Sequence, residues 1–524
     1  MKKSLAVLLL STVCSMLSGC GASGGNDSPT VTPIPDAGPT ALPAFYGAAV
    51  APSPVAPAMV PQNPFLAPNP FSNVHSDTWM SDTVGFVGPL GRDPAVLSST
   101  LAAARRNPNS PTFICSSIAF DSAGRLVMSC AGSQEASLVL ADPDTLEVLA
   151  SVALPLSASA ANATSSAYTY LDHQDRIVVG AADNTIKVMQ VVRGATGLSF
   201  QKVAEYDVSP FIHPDANGNP DSLIGVMPDW QGRIWFAIRA ASTVGVIDTA
   251  RYPAASSIQT FALNDGGEIK NGFAVNQTDA YVVSTKAMYR ITAGPDGIPR
   301  QVWKAGYGNI GTVKPGQYSA GSGTTPTLLG HGEYVAIADN DAQTHVVVYR
   351  TAEPLAAGQN RTVCTTPVFG YGQGAVEDSL IGSGLSLIVE NNYGYQVTNW
   401  QTLASTPSLP GMARVDVLPD GSGCTLVWEN NTVTAPNVAP KLATASGLIY
   451  TITRKYDTSP PYAAPGLDVW YWSAVDFRTG AVVWERRAGT GPRFDSWYPG
   501  LAIGPNGTAY SGQYGGLIAI RDTR

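Results

Sequence analysis

No stretch of this sequence carries the period of a long amphipathic helix. The nearest candidate, residues 95–106 with its Ala102-Ala-Ala104 run, is short and flanked by Pro94 and Pro108. That argues against helical bundles, helical solenoids and doubly wound α/β folds. Charge is sparse at 13% of residues, and the net charge is −8, falling to −10 once Lys2 and Lys3 leave with a leader; a nucleic-acid partner is disfavoured. No C-x-x-C occurs, which argues against a cysteine metal site and C-x-x-C-H haem attachment. The five histidines, His75, His173, His213, His331 and His345, show no metal-ligand spacing and read as surface or hydrogen-bonded residues.

The first residues set the compartment. Met1-Lys2-Lys3 is a basic start, residues 5–16 are apolar but too few to span a bilayer, and Leu17-Ser18-Gly19-Cys20 resembles the lipobox of bacterial lipoproteins. The resemblance implies a signal peptide over residues 1–19, cleavage before Cys20 and lipid, palmitate included, on its thiol. Gly21, where aspartate is absent, implies sorting to the outer membrane, with the chain facing either the periplasm or the cell surface. From Cys20 to residue 72 the composition turns to Pro, Ala, Gly, Ser and Thr, as in Thr32-Pro-Ile-Pro35, and reads as a tether. Within it, the aromatic stretch Asn63-Pro-Phe-Leu-Ala-Pro-Asn-Pro-Phe71 is expected along the side of the folded unit, residues 73–524.

Glycine (52) and proline (40) are plentiful, as a turn-rich β protein requires. Eight times a tight polar turn is followed at once by a short β-rich run. The turns are Asp121-Ser-Ala-Gly124, Asp172-His-Gln-Asp175, Asp229-Trp-Gln-Gly232, Asn276-Gln-Thr-Asp279, Gly330-His-Gly332, Gly382-Ser-Gly384, Ala445-Ser-Gly447 and Pro505-Asn-Gly507. A spacing of about 47 to 63 residues is that of propeller blades. The third copy reads as four strands, around Ile224–Met227, Arg233–Ala237, Val244–Ile247 and Ile258–Phe261. The last copy ends at Arg524 with no fourth strand. An unpaired edge is a hazard, so an N-terminal strand is expected to close the ring, with residues 78–86 as the candidate. The fold class is therefore all-β, an eight-bladed β-propeller of four-stranded blades.

Cysteine usage fits an exported chain. Cys115 and Cys130 lie symmetrically about the Ser122-Ala123 turn centre, so on a hairpin they face each other and are expected to bridge. Cys364 and Cys424 occupy late strands of successive copies and by elimination would pair, with reduced thiols the alternative.

Ala474-Val-Asp-Phe-Arg-Thr-Gly-Ala-Val-Val-Trp484 resembles the tryptophan-docking repeat of the PQQ-like, or quinoprotein alcohol dehydrogenase-like, propellers. Asp476 and Thr479 would cap a turn, Gly480 would permit its backbone, and Trp484 would pack on the neighbouring blade. Trp303 and Trp428 are weaker copies. A lipidated eight-bladed ring is also similar to the lipoprotein scaffold of the outer-membrane β-barrel assembly machinery. The enzyme branch of the PQQ-like family stacks its quinone on adjacent disulfide-bonded cysteines, and no adjacent pair exists here, which argues against PQQ. Turns such as Asp229-Trp-Gln-Gly-Arg233 also resemble those of metal-dependent lactonase and lyase propellers.

Two local patterns read as loops. Gly306-Tyr-Gly-Asn-Ile-Gly311 matches G-x-G-x-x-G but no helix follows, and Asp215-Ala-Asn-Gly-Asn-Pro-Asp221 has glycine and proline at the wrong places for a calcium loop.

With the first strand of each blade innermost, the short turns share one face and the irregular loops share the other. Binding is expected on the loop face. Glu268, Asn271, Asp339, Asn340, Glu377, Glu390, Asn391 and Asn392 are its candidate ligands, an oxygen set suited to Ca²⁺ or another divalent cation. Hydrogen bonding to strand ends and ring waters is the open alternative, and no cofactor is firmly implied. The functional expectation is an outer-membrane-anchored binding or scaffold module for an envelope protein or small ligand. The alternative is a PQQ-like or divalent-metal-dependent propeller enzyme, that is, a dehydrogenase, lactonase or lyase.

Overall fold

The computed structural model describes residues 31–156, 167–214, 218 and 220–524. The signal peptide and Cys20 lie outside the described residues, as do positions 215–217 and 219 of the calcium-like stretch. Eight four-stranded antiparallel blades form the ring; in blades 1 to 7 the four strands follow chain order outward from the axis, and in blade 8 the outermost strand comes from the N-terminal region. The innermost strands are Ile114–Phe120, Tyr170–Leu171, Leu223–Pro228, Ala274–Val275, Thr327–Leu329, Ile381–Ser383, Lys441–Ala443 and Leu501–Ile503, which open blades 1 to 8. Blade 3 continues as Ile234–Ile238, Thr243–Ile247 and Ile258–Ala262, within a residue or two of the strands read from the alternation. Both faces of a blade pack on neighbours, so its middle strands are buried throughout; Trp235, Phe236, Ala237 and Ile238 are all 0% exposed.

Three of the repeated turns are ion-paired as well as tight. In blades 1, 2 and 3 one oxygen of Asp121, Asp172 or Asp229 accepts two backbone N–H groups across the turn. The other oxygen takes the Nε of Arg125, Arg176 or Arg233 at 2.7, 2.6 and 2.6 Å. The motif thus closes its own hairpin. Gly232 stands at φ +78°, a left-handed conformation that favours glycine.

Tryptophans in the outermost strands join successive blades. Trp303 of blade 4 donates to the Thr351 carbonyl of blade 5 at 3.2 Å, and Trp428 of blade 6 donates to the Phe477 carbonyl of blade 7 at 3.0 Å. Asp476 accepts from the backbone of Arg478 and Thr479, Gly480 sits at φ +71° against the Trp428 ring, and Trp484 is fully buried beside Tyr450. Cys115–Cys130 bridges paired strands of blade 1, while Cys364–Cys424 staples the outer strands of blades 5 and 6.

The ring is closed by an N-terminal strand, Ala95–Ser99, paired antiparallel with Gly516–Arg521. It belongs to the stretch with the faint helical pattern, and only residues 102–104 form a 3-10 turn. Residues 78–86, the expected closing strand, lie elsewhere. Thr83–Val84 pairs parallel with the inner strand Lys441–Ala443, because residues 72–84 enter the axial channel from the turn side. There they hydrogen-bond inner strands around the ring: Ser72 O to Leu171, Thr78 O to Val275, Trp79 O to Leu328, Ser81 O to Gly382 and Asp82 O to Leu442.

Residues 31–72 belong to the same compact unit, which runs from Val31 to Arg524. Phe45–Gly47 adds a strand outside blade 7. The chain then crosses the turn face, bonding Ser446 and Thr444 of blade 7, Ser383 of blade 6, Pro228 of blade 3 and Leu171 of blade 2.

The plug carries buried charge. Asp82, 0% exposed, receives Lys441 Nζ at 2.6 Å and His75 Nδ1 at 2.9 Å, and Lys441 also donates to the Val74 carbonyl. Burial alone would raise the Asp82 carboxyl, but His75 and Lys441 outweigh it and hold it below its ordinary value. Asp82→Asn strands a buried lysine and should cost about 3–5 kcal/mol. Chemical denaturation should show a lowered midpoint, largely restored when Lys441→Met is added.

Candidate functional site

The loop-side mouth of the channel is covered by one long connection, residues 307–326 between blades 4 and 5. Asn309 and Asn340 anchor its start through Asn340 Nδ2 to Asn309 Oδ1 at 3.0 Å. Lys314 is pulled onto the carbonyls of Asp341 and Gly374. Gly394 donates to Pro315 O at 3.0 Å, Gln317 Nε2 reaches Val376 O at 2.9 Å, and the Tyr498 hydroxyl donates to Gly316 O. Gly316 is required here, since a Cβ would strike the Asn392 carbonyl. Tyr318 then stands edge-on to Trp497 and Tyr498 at 5.5 and 5.6 Å. The connection reaches from blade 4 to the lead-in of blade 8, and its G-x-G-x-x-G run is a loop as expected.

Acidic groups lie beneath it. Asn392 places two of them: its Oδ1 accepts the N–H of Glu377 at 2.6 Å and its Nδ2 donates to Asp378 at 2.8 Å and to Pro436 O at 3.1 Å. Burial pushes the Glu377 carboxyl up to about 8 and the Asp378 carboxyl to about 7. Glu390, 1% exposed, is held well above its ordinary value by burial, with Asp378 adding repulsion, and both its carboxylate oxygens lack partners. These acids are neutral over much of the acid-to-neutral range, so the site can store protons or accept a cation.

The structure does not gather the candidate residues at one point. Asn391 holds the Ala375 N–H and the Gln373 carbonyl, a structural role. Glu268 sits at the rim and pairs with Lys270 at 2.7 Å. Asn271 faces Tyr168, whose hydroxyl lies 3.5 Å from its Oδ1. Asp339 joins a different group. Its ligand atoms, with those of Asp341 and His345, lie within 4.8 Å of one another, and His345 Nδ1 is 2.8 Å from Asp339 Oδ2. The sequence signal for this trio is D-x-D-x-x-x-H across a strand-to-strand loop, a spacing set by hairpin geometry that matches no familiar ligand pattern. Asp221 accepts N–H groups of Ser222, Ala240 and Ala241 and serves the backbone.

No family model matches the chain. It is 26% identical over 329 residues to an uncharacterised protein of Archaeoglobus fulgidus, a match covering 57% of this chain and 61% of that protein. Among solved structures, Sqt1 of Chaetomium thermophilum bound to the N-terminus of ribosomal protein L10 aligns at 14% identity and a TM-score of 0.45. That alignment covers 79% of this chain and 98% of the other. A putative 6-phosphogluconolactonase of Bacteroides uniformis aligns at 12% identity and a TM-score of 0.38, covering 72% and 97%. Likeness at this level concerns fold alone.

The raised carboxyls fix the sign of a pH effect. Unfolded, they titrate near the ordinary carboxylate range of about 4, so between there and their folded values the folded chain holds the extra protons. Rising pH therefore destabilises the fold. The melting temperature should fall from about pH 5 to about pH 8, and Glu377→Gln with Asp378→Asn should flatten that slope; a midpoint rising across the window would contradict it.

Proposed function

We propose that this chain is an outer-membrane lipoprotein whose propeller acts as a binding or scaffold module and docks an envelope protein through its loop face. One observation carries the reading. Ile310, Val313 (53% exposed), Tyr318, Tyr371 (76% exposed), Val397 and Trp400 remain in water, and they come from three loops of that face. The loops are tied together by Lys314 Nζ to Gly374 O and Gly394 N to Pro315 O. Single exposed apolar side chains are ordinary, whereas several on one face of a rigid ring are the character of a docking surface. The turn face is crossed by the chain's own N-terminal segment and offers less free surface. The tether to the membrane is read from Leu17-Ser18-Gly19-Cys20, and periplasmic and surface orientations both fit.

A second reading, a divalent-metal-dependent propeller enzyme, is favoured by Asp339, Asp341 and His345. A quinone enzyme has less support, since neither disulfide joins adjacent cysteines.

A photo-crosslinking residue at Val313 or Tyr371 of the cell-expressed chain should capture a discrete envelope protein, and one at Val203 on an outer strand should not. Equal capture at all three sites, or none, would remove the docking reading. Cys20→Ser should move the chain from the membrane to the soluble envelope fraction. Stoichiometric Ca²⁺ or Mn²⁺ binding that Asp341→Asn abolishes would favour the enzyme reading.

A further inference from the structure

Beneath the 307–326 loop the fold leaves several buried polar atoms without partners. They include Oε2 of Glu377, Oδ1 of Asn437 and Oε1 of Gln317, with both oxygens of Glu390 deeper between blades 6 and 7. The amide orientations are set by their other ends. Gln317 Nε2 donates to Val376 O, and Asn437 Nδ2 donates to Asp495 Oδ1 at 2.6 Å and Ser496 O at 2.8 Å, so in each the oxygen is the free end. All these atoms accept hydrogen bonds, and two of the groups are carboxyls. Buried acceptors left unpaired cost free energy. The complement to such a set is a group rich in donors, without acceptors and positively charged.

The lining converges across the channel. Tyr168, from the lead-in to blade 2, lies against Gly225 and Gly272 of blades 3 and 4 and stacks near His75 of the plug at 5.9 Å. Its hydroxyl is in reach of Thr325 and within the field of Glu377 and Asp378. Tyr498 feels the same two carboxyls from the opposite side, and Tyr318 and Trp497 stand at the mouth. Aromatic faces beside carboxylates suit an organic cation. A bare metal ion fits less well: among the described residues the acidic group whose ligand atoms close to within 4.8 Å is that of Asp339, Asp341 and His345, and not this one.

We infer that the chamber under the 307–326 loop binds a small organic cation, a primary amine or guanidinium, whose charge is met by Glu377 and Asp378. The inference stands apart from partner docking, because the apolar patch lies on the outer surface and the chamber beneath it.

Binding is linked to protons. Glu377 is faced by Asp378, which raises it, and by Lys270 and the N–H groups of Tyr318 and Ser319, which lower it. Asp378 is faced by Asn392 and Asp82. Burial dominates in both, so a bound cation replaces protons, and affinity rises with pH.

Calorimetry on the full chain carrying Cys20→Ser, with agmatine, putrescine and Ca²⁺ as probes, tests the inference. Agmatine or putrescine should bind one to one, release protons near neutral pH, and bind about tenfold or more tightly at about pH 8.5 than at about pH 6. Glu377→Gln should weaken binding about tenfold or more. It mimics the neutral carboxyl that the free chain holds, so its melting curve should match the parent at low pH. If that variant does not fold, Asp378→Asn and the pH dependence of the parent chain decide. Failure of both amines to bind, binding indifferent to Glu377 and pH, or Ca²⁺ binding with the same dependence in their place would overturn the inference. None of these results bears on cross-linking at Val313, so the two readings fail separately.

Discussion

An eight-membered ring of sheets leaves an axial hole wider than its inner side chains can fill, and the rest of this structure depends on how that hole is filled. The chain uses its own backbone. Carbonyls of residues 72–84 accept N–H groups from the inner strands of blade after blade, so polar groups that the hole would leave facing a void are paired with protein instead. The chain that follows, Ala95–Ser99, pairs with the C-terminal strand Gly516–Arg521. Filling the axis and closing the ring are consecutive acts of one stretch of chain.

That arrangement carries electrostatic consequences. Backbone from the plug brings Asp82 and His75 to Lys441, a polar cluster almost wholly shut off from water. Above it, the connection between blades 4 and 5 seals the other mouth and leaves Glu377, Asp378 and Glu390 in a low-dielectric space with too few donors. Charged groups in such a setting hold protons or a counter-charge, and they are sensitive to whatever reaches them. The two faces consequently differ: the turn face is quiet and overlaid by the N-terminal segment, while the loop face combines an apolar outer surface with an acidic interior.

Much of the ring is legible in the order of its residues. Turns such as Asp229 to Gly232 are local, with an Asp that accepts backbone N–H groups two and four residues on and an Arg that closes the pair, so residue spacing alone encodes them. Strand boundaries in blade 3 follow from alternation, and Cys115–Cys130 follows from hairpin symmetry. Asp476 capping its turn ahead of Gly480 was legible for the same reason, whereas the contact of Trp428 with Gly480 across two blades came only with the fold. Residues 78–86 and 95–99 were harder, because both are short, β-prone and N-terminal, and nothing local tells a closing strand from a plug. The candidate ligands show the same limit: Asp339 meets His345 through its own hairpin, whereas Glu268 turns outward to Lys270.

The sequence by itself determined the class of fold, the number of blades, the turn chemistry and the disulfide in blade 1, because each is written in residues a few positions apart. The tertiary structure alone decided which N-terminal segment closes the ring, what fills the axis and which acids share a buried chamber. Those outcomes rest on contacts between residues 182 to 359 positions apart, such as Asp82 with Lys441, His75 with Ser379 and Gly316 with Tyr498. Only closure of the ring brings such residues within reach of one another.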